Sequence, residues 1–318
     1  MSKYSEKPLS LEGLKTVPIA ERGGKVGVKD FARPFQKGGG VQQLVDCFPD
    51  ILAGQAFRGV LGALKRARSE SRAILWGMGG HVIKCGLGDV VLDLMRRGWV
   101  TGFVMNGAAS IHDFEIAIAG QTSEDVEAVL PDGRFGAAEE TGREMNVGIA
   151  EGNRHEIGMG EALGKHLERL ARPEFAPHSV LLGAYKVALP VTVHVAIGTD
   201  TPHTHPTADA RAIGETTHRD FRLLCSLVRK LDNGGVYLNL GSAVVLPEVF
   251  LKAISVVRNL GHPLADFTTV NFDFIQHYRP RVNVVERPHA RSGGHGFAIT
   301  GHHELMIPLL AAALVELS

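Results

Sequence analysis

The stretch that decides the fold is Val104 to Ala117, VMNGAASIHDFEIA, which reads as the end of a buried strand, a small-residue turn and the start of a helix. Asn106, Gly107, Ala108, Ala109 and Ser110 leave little side chain at the turn, so another molecule's backbone or phosphates can approach the peptide N–H groups. Outward from it, other short apolar runs end in Gly, Asn, Asp or Thr: Ala73–Met78, Gly102–Met105, Val191–Ile197, Val236–Leu240 and Phe267–Phe272. They read as strands buried on both faces. Between them Val82–Arg97, Arg219–Leu231, Pro247–Leu260 and Glu304–Glu316 carry helical spacing. This alternation predicts a parallel sheet wrapped by helices, with ligands at the carboxyl ends of the strands. Gly120–Phe175 is the least regular part and reads as helices and a turn outside the sheet, a lid or an oligomer contact. Residues 1–28 read as a peripheral arm. No repeat or linker divides the chain, so 1–318 is expected to form one domain.

Composition narrows the partners. Of 318 residues, 34 are basic and 34 acidic, spread along the chain without a long block of one sign. That argues against nucleic acid and toward a small-molecule substrate or a protein surface. Cys47, Cys85 and Cys225 stand alone without CxxC spacing, which disfavours a disulfide framework or a cysteine-based zinc site. The longest apolar run, Leu305–Val315, contains Pro308 and falls short of the ~20 residues that span a bilayer. The expectation is a cytoplasmic protein with no membrane partner.

At the strand ends stand Gly77-Met78-Gly79-Gly80-His81, Asn106-Gly107-Ala108-Ala109, Gly198-Thr199-Asp200, Gly241-Ser242-Ala243 and Asn271-Phe272-Asp273. In this order the chain resembles the deoxyhypusine synthase family, whose members use NAD to move an aminobutyl group from spermidine to a lysine. The matching segments are GGHVIKCG, MNGAASIHDFE, VTVHVAIGTDTP, LGSAVVLP and ELMIPLLAA, between about Lys29 and the C-terminus. The resemblance implies a doubly wound, Rossmann-like α/β fold with helices on both faces of a mainly parallel sheet. It also implies NAD at the strand ends and a homotetramer with sites shared across an interface. Cofactor-contacting turns then fall on Gly79, Gly80, His81 and Val82, on Asn106, Gly107 and Ala108, on Asp200, and on Gly241, Ser242 and Ala243. Asp200 after a strand suits a ribose diol, and small-residue turns suit a pyrophosphate.

The family's imine-forming lysine has no counterpart, because no lysine follows Lys252. Arg281, Arg287, Arg291, His289 and His295 occupy that region, and Gln276, His277, Arg279 and Arg281 replace its acidic polyamine-binding segment. A guanidinium cannot lose its proton to become a nucleophile. The expected activity is therefore NAD-dependent chemistry on another small amine or amino acid, not deoxyhypusine synthesis.

Histidine is abundant, with 15 in the chain. His205 and His295 are assigned as proton carriers, and His112, beside Asp113 and Glu115 where the family has acidic residues near the nicotinamide, as a general acid or base. A solvated first helical turn explains His112 and its neighbours equally well. His203 and His205 with Asp200 could instead hold a divalent metal for a hydrolase or lyase, or simply form a hydrogen-bonded loop. Cys85 is either a thiolate activated by Lys84 or a small packed residue. His302, His303 and Glu304 either cap the last helix or contact ligand. The third functional reading is a non-catalytic protein that keeps the NAD fold. No pattern of a serine hydrolase is present.

Overall fold

The computed structural model of the protein describes residues 2–316. Its elements run α1 (Val41–Cys47), α2 (Leu52–Ser69), β1 (Ile74–Met78), α3 (Gly80–Lys84), α4 (Gly88–Arg96), β2 (Gly102–Asn106), α5 (Gly107–Ala119), α6 (Val126–Val129), α7 (Glu139–Arg154), α8 (Met159–Leu170) and α9 (Val180–Lys186). They continue with β3 (Val191–His194), α10 (Ala210–Arg229), β4 (Gly235–Leu240), α11 (Val245–Asn259), β5 (Phe267–Asp273), the single turn α12 (Tyr278–Pro280), β6 (His295–Thr300) and α13 (His303–Glu316).

The six strands form one parallel sheet in the order β3-β2-β1-β4-β5-β6. This is the doubly wound α/β arrangement, with the strand order reversing direction between β1 and β4. Successive residues of a strand feed opposite cores. Ile74, Trp76 and Met78 join Phe103, Met105 and Leu238 on one face, while Leu75 joins Val104, Tyr237 and Phe250 under α10 and α11 on the other. Both faces are covered, which is why the central strands are buried at nearly every position and do not alternate polar with apolar; the polar residues they carry, such as Asn239 of β4 and Thr268, Thr269 and Asn271 of β5, are buried too. Each of these large side chains, wholly removed from water, contributes about 1.5–3 kcal/mol.

Several boundaries differ from the sequence reading. The run Val191–Ile197 pairs only as far as His194, after which the chain turns away from β2. The helix expected over Val82–Arg97 is two helices, broken where Gly86 takes φ +74°. α10 begins at Ala210, well before Arg219, because the Asp209 carboxylate accepts the Arg211 and Ala212 N–H groups and caps it. β6 is not among the expected strands, its apolar residues being Phe297, Ala298 and Ile299. It is an edge strand whose sequence, HGFAIT, buries little beyond Ile299, while α2 approaches it so closely that a Cβ on Gly59 would lie 2.7 Å from the Phe297 ring.

The irregular Gly120–Phe175 segment owes its glycines to packing. A Cβ on Gly152 of α7 would lie 2.4 Å from the Ala162 Cβ of α8, and one on Gly160 would lie 2.2 Å from the Val191 carbonyl oxygen. Small residues let α7, α8 and β3 stack at short range. Residues 2–26, by contrast, are exposed throughout, including Leu9, Leu11 and Ile19. Among the described residues no helix is long and apolar enough to cross a membrane.

Candidate functional site

The carboxyl ends of β1 and β4 meet at the point where the sheet reverses, and their turns touch. The Gly79 N–H donates to the Leu240 carbonyl at 2.8 Å, and a Cβ on Gly79 would lie 2.3 Å from the Gly241 carbonyl oxygen. Gly80 abuts the third turn: its Cβ would lie 3.0 Å from both the Ala108 Cβ and His112 Cδ2. Gly241 has φ +66°, and a Cβ there would meet the His303 ring at 2.9 Å. The turns at Gly79–His81, Asn106–Ala108 and Gly241–Ala243 thus come together, with the start of α13 beside them. Asn106 caps α5 by accepting the Ala109 N–H at 2.9 Å, and the Ser242 hydroxyl accepts the Leu246 N–H at 3.2 Å. Val82 is wholly buried, so its side chain serves the core.

Asp200 sits elsewhere than a free ribose acceptor would. It is 7% exposed, accepts the Ala196 N–H at 2.8 Å, and lies so near the start of α5 that a Cβ on Gly107 would fall 2.1 Å from its Oδ2. A carboxylate already stands at that helix terminus, where the helix field favours negative charge. Burial raises its pKa against the bond from Ala196 and the nearby His203.

His112 anchors a relay. Its Nδ1 lies 2.7 Å from the Thr122 hydroxyl, which donates its only proton to Glu115, so His112 must donate from Nδ1, and Nε2 is the nitrogen left for a substrate. Thr141 donates a second hydrogen bond to Glu115 at 3.1 Å. Burial pushes the Glu115 pKa up, but the hydrogen bonds of His112, Thr122 and Thr141 outweigh it and leave the group below its ordinary value. Glu115, Thr122 and Thr141 line a cleft of about 670 Å³ together with Glu140, Arg143 and Arg172. Thr122 and Thr141 carry no sequence signal, since nothing in the periodicity of 120–141 marks them.

The remaining candidates disperse. Asp113 is a structural cap: fully buried, it accepts the Ser179 hydroxyl and the Val180 and Leu181 N–H groups at 2.7 to 2.9 Å, and burial pushes its pKa to about 6. His205 has both ring nitrogens engaged, Nδ1 with Thr207 at 2.8 Å and Nε2 with Glu139 at 3.2 Å, tying its loop to α7. His295 opens β6 opposite Thr268, at the amino end of the sheet. That is roughly 16 Å along the strand from the carboxyl ends, which removes it from the site. The proposed His203, His205 and Asp200 metal set does not converge; among the described residues, the His, Cys and carboxylate ligand atoms near enough to share a cation belong to His81, Cys85 and Glu304. Nor is any described lysine buried: Lys165 is half-buried on α8 and the rest, Lys84 included, are exposed. Cys85 is not an activated thiolate, because burial and then Glu304 raise its pKa, outweighing Lys84.

No family model and no curated protein matches the sequence. Solved structures do match the fold. A conserved protein from Methanococcus maripaludis S2, assigned to the LOR/SDH type, aligns over 84% of this chain and 71% of its own at a TM-score of 0.53 and 13% identity. A protein from Entamoeba histolytica assigned as a deoxyhypusine synthase aligns over 89% of this chain and 95% of its own, with a TM-score of 0.50 and 12% identity. ArgZ, an arginine dihydrolase of the cyanobacterial ornithine–ammonia cycle, gives a TM-score of 0.51 at 16% identity over 84% of this chain, which spans only 34% of ArgZ. The chain thus has the Rossmann-like α/β fold of these proteins, and the resemblance read in its sequence has a structural counterpart of the same fold.

Proposed function

We propose that this protein binds NAD across the β1–β4 switch point and acts as an NAD-dependent enzyme on a small amine or amino acid. The observation that carries the reading is the mutual contact of the Gly79–Gly80 and Gly241–Ser242 turns at the place where the strand order reverses. The Gly79 and Gly241 N–H groups are spent on the Leu240 and Phe272 carbonyls, so the Gly80 and Ser242 N–H groups are the ones that suit a pyrophosphate there. The start of α5 suits it less, because Asp200 already supplies a negative charge; Asn106, Gly107 and Ala108 then shape the wall and Asp200 lies at its edge.

When bound, the nicotinamide supplies hydride transfer. The chain's own contribution is to position substrate and carry its proton. His112, beside Gly80, takes a proton on Nε2 while Thr122 and the ionised Glu115 stabilise the imidazolium through Nδ1. The adjoining cleft offers carboxylates at Glu115 and Glu140 for an ammonium, and guanidinium groups at Arg143 and Arg172 for a carboxylate. That pairing suits an amino acid. His205 acts by positioning, holding the Thr201–Thr204 loop to Glu139 of α7.

Calorimetric titration of the full chain with NAD tests the reading. One site per chain is expected, weakened at least about tenfold by Ala243→Glu, which places a charge in the half-exposed turn. No heat of binding, or unchanged affinity in the variant, would discard it. Turnover of small amines and amino acids separates enzyme from binder, and His112→Asn is expected to lower kcat by about 10²–10⁴ while leaving NAD affinity intact.

A further inference from the structure

The carboxyl end of β1 holds a second group of reactive side chains, which meets the proposed NAD turns only at His81. His81 and Cys85 stand one helical turn apart on α3 and its C-cap, and Glu304 reaches them from the first turn of α13. His81 Nε2 lies 3.2 Å from Cys85 Sγ, and Sγ lies 3.8 Å from Glu304 Oε2. All three ligand atoms fall within 4.8 Å of one another.

We propose that His81, Cys85 and Glu304 form a divalent-metal site that takes zinc. In a tetrahedral zinc centre with Zn–S near 2.3 Å and Zn–N or Zn–O near 2.0 Å, neighbouring ligand atoms stand about 3.5 Å apart. The two measured edges bracket that value, and the third closes by rotation of Glu304, which is exposed and free to move. The mixed thiolate, imidazole and carboxylate set suits zinc better than the hard cations that prefer oxygen alone.

The Cys85 thiol points its hydrogen at Glu304 Oε2, so a proton stands where the metal would. On binding, the thiol proton leaves to solvent and a metal–sulfur bond replaces it. The surroundings are those of a supported site. His302 Nδ1 lies 3.6 Å from the other Glu304 oxygen, Phe274 packs against His81, and the buried Asp273 adds negative charge opposite the exposed Lys84. His303 packs on His81 with ring centroids 5.2 Å apart; its Nε2 meets the Phe272 carbonyl, while its fully buried Nδ1 has no hydrogen-bond partner. Three protein ligands leave a fourth position for water or a substrate oxygen, the pattern of catalytic rather than structural zinc. His303 also abuts Gly241, so a Lewis acid here would border the switch-point turns, sharing with them His81 alone, through its side chain rather than its backbone.

Titration of chelator-treated full-length protein with cobalt(II), followed by zinc displacement, tests this directly. One equivalent of cobalt is expected to produce a thiolate-to-cobalt charge-transfer band that zinc abolishes. Cys85→Ser should remove the band, and Glu304→Gln should weaken cobalt at least about tenfold, because even groups that only orient ligands cost 10–100-fold. Glu304 is exposed, so its variant reports on the site even if Cys85→Ser fails to fold. His203→Ala should leave cobalt binding unchanged, as should Ala243→Glu, so loss of NAD binding and loss of metal binding are read apart. No charge-transfer band at one equivalent, or wild-type cobalt affinity in Glu304→Gln, overturns the proposal.

Discussion

Asp220 of α10 is the side chain whose environment makes the sharpest prediction. Fully buried, it accepts the Val193 N–H at 2.7 Å and the Gly160 N–H at 2.9 Å, fastening β3 and α8 together, and burial pushes its pKa up to about 7. The folded chain therefore holds this proton more tightly than the unfolded one, and the stability it contributes is lost as pH rises toward 7. His194, lowered to about 3 by burial, works in the opposite direction, since folding is opposed as pH falls below the ordinary histidine value. The difference between wild type and Asp220→Asn isolates the carboxyl group. Measured by urea unfolding, that difference should move by about 2–3 kcal/mol against the wild type between pH 5 and pH 8, at about 1.36 kcal/mol per pH unit. A pH-independent difference would show that Asp220 is ionised throughout. Asp113 and Asp220 also show why residue roles were hard to read: an acid that fastens backbone N–H groups and one that handles a proton look alike in a sequence.

The helices and strands were more legible than their ends. The runs of β1, β2, β4 and β5 stand within about a residue of the sequence reading, because strands buried on both faces are rich in apolar and β-branched residues that stop at the Gly, Asn or Asp of the following turn. β6 was missed for the converse reason, and α3 and α4 were fused because the break at Gly86 interrupts the backbone without interrupting the apolar pattern. Caps set the remaining boundaries. Asn106→Ala, which deletes the side-chain acceptor of the Ala109 N–H, should cost about 1 kcal/mol in urea unfolding. Gly160→Ala should cost about 1–3 kcal/mol, since its Cβ would press on the Val191 carbonyl and force α8 from β3. Equal stability in either variant would mean that these contacts are not the ones holding α5 or α8 in place.

For the whole molecule, the exposed arm is the feature that a single chain leaves unexplained. Leu9, Leu11, Leu14, Val17 and Ile19 are each at least 66% exposed and touch no core. Its deletion tests whether the arm joins copies of the chain. Deleting residues 2–26 should leave the melting temperature of the folded domain within about 4 °C, as expected when well under 1 kcal/mol is lost from a domain of this size. A fall in particle mass by light scattering beyond that of the deleted residues would place the arm in assembly. An unchanged mass would confine the arm to a role outside assembly, and a collapse in melting temperature would make it part of the fold.

What the sequence determined by itself was which residues go inside and in what rhythm. Burial of apolar surface is non-directional and leaves a periodicity of its own, so continuous apolar runs alternating with helical spacing were enough to specify a parallel sheet wrapped by helices. Which turns face each other was decided only by the strand order. His112 finds Thr122 because α5 ends and the chain doubles back, and Cys85 meets Glu304 across 219 residues because β1, β5 and α13 share one end of the sheet. Hydrogen bonds and metal ligands need distances and directions held to fractions of an ångström, and those come from packing, which local sequence does not record.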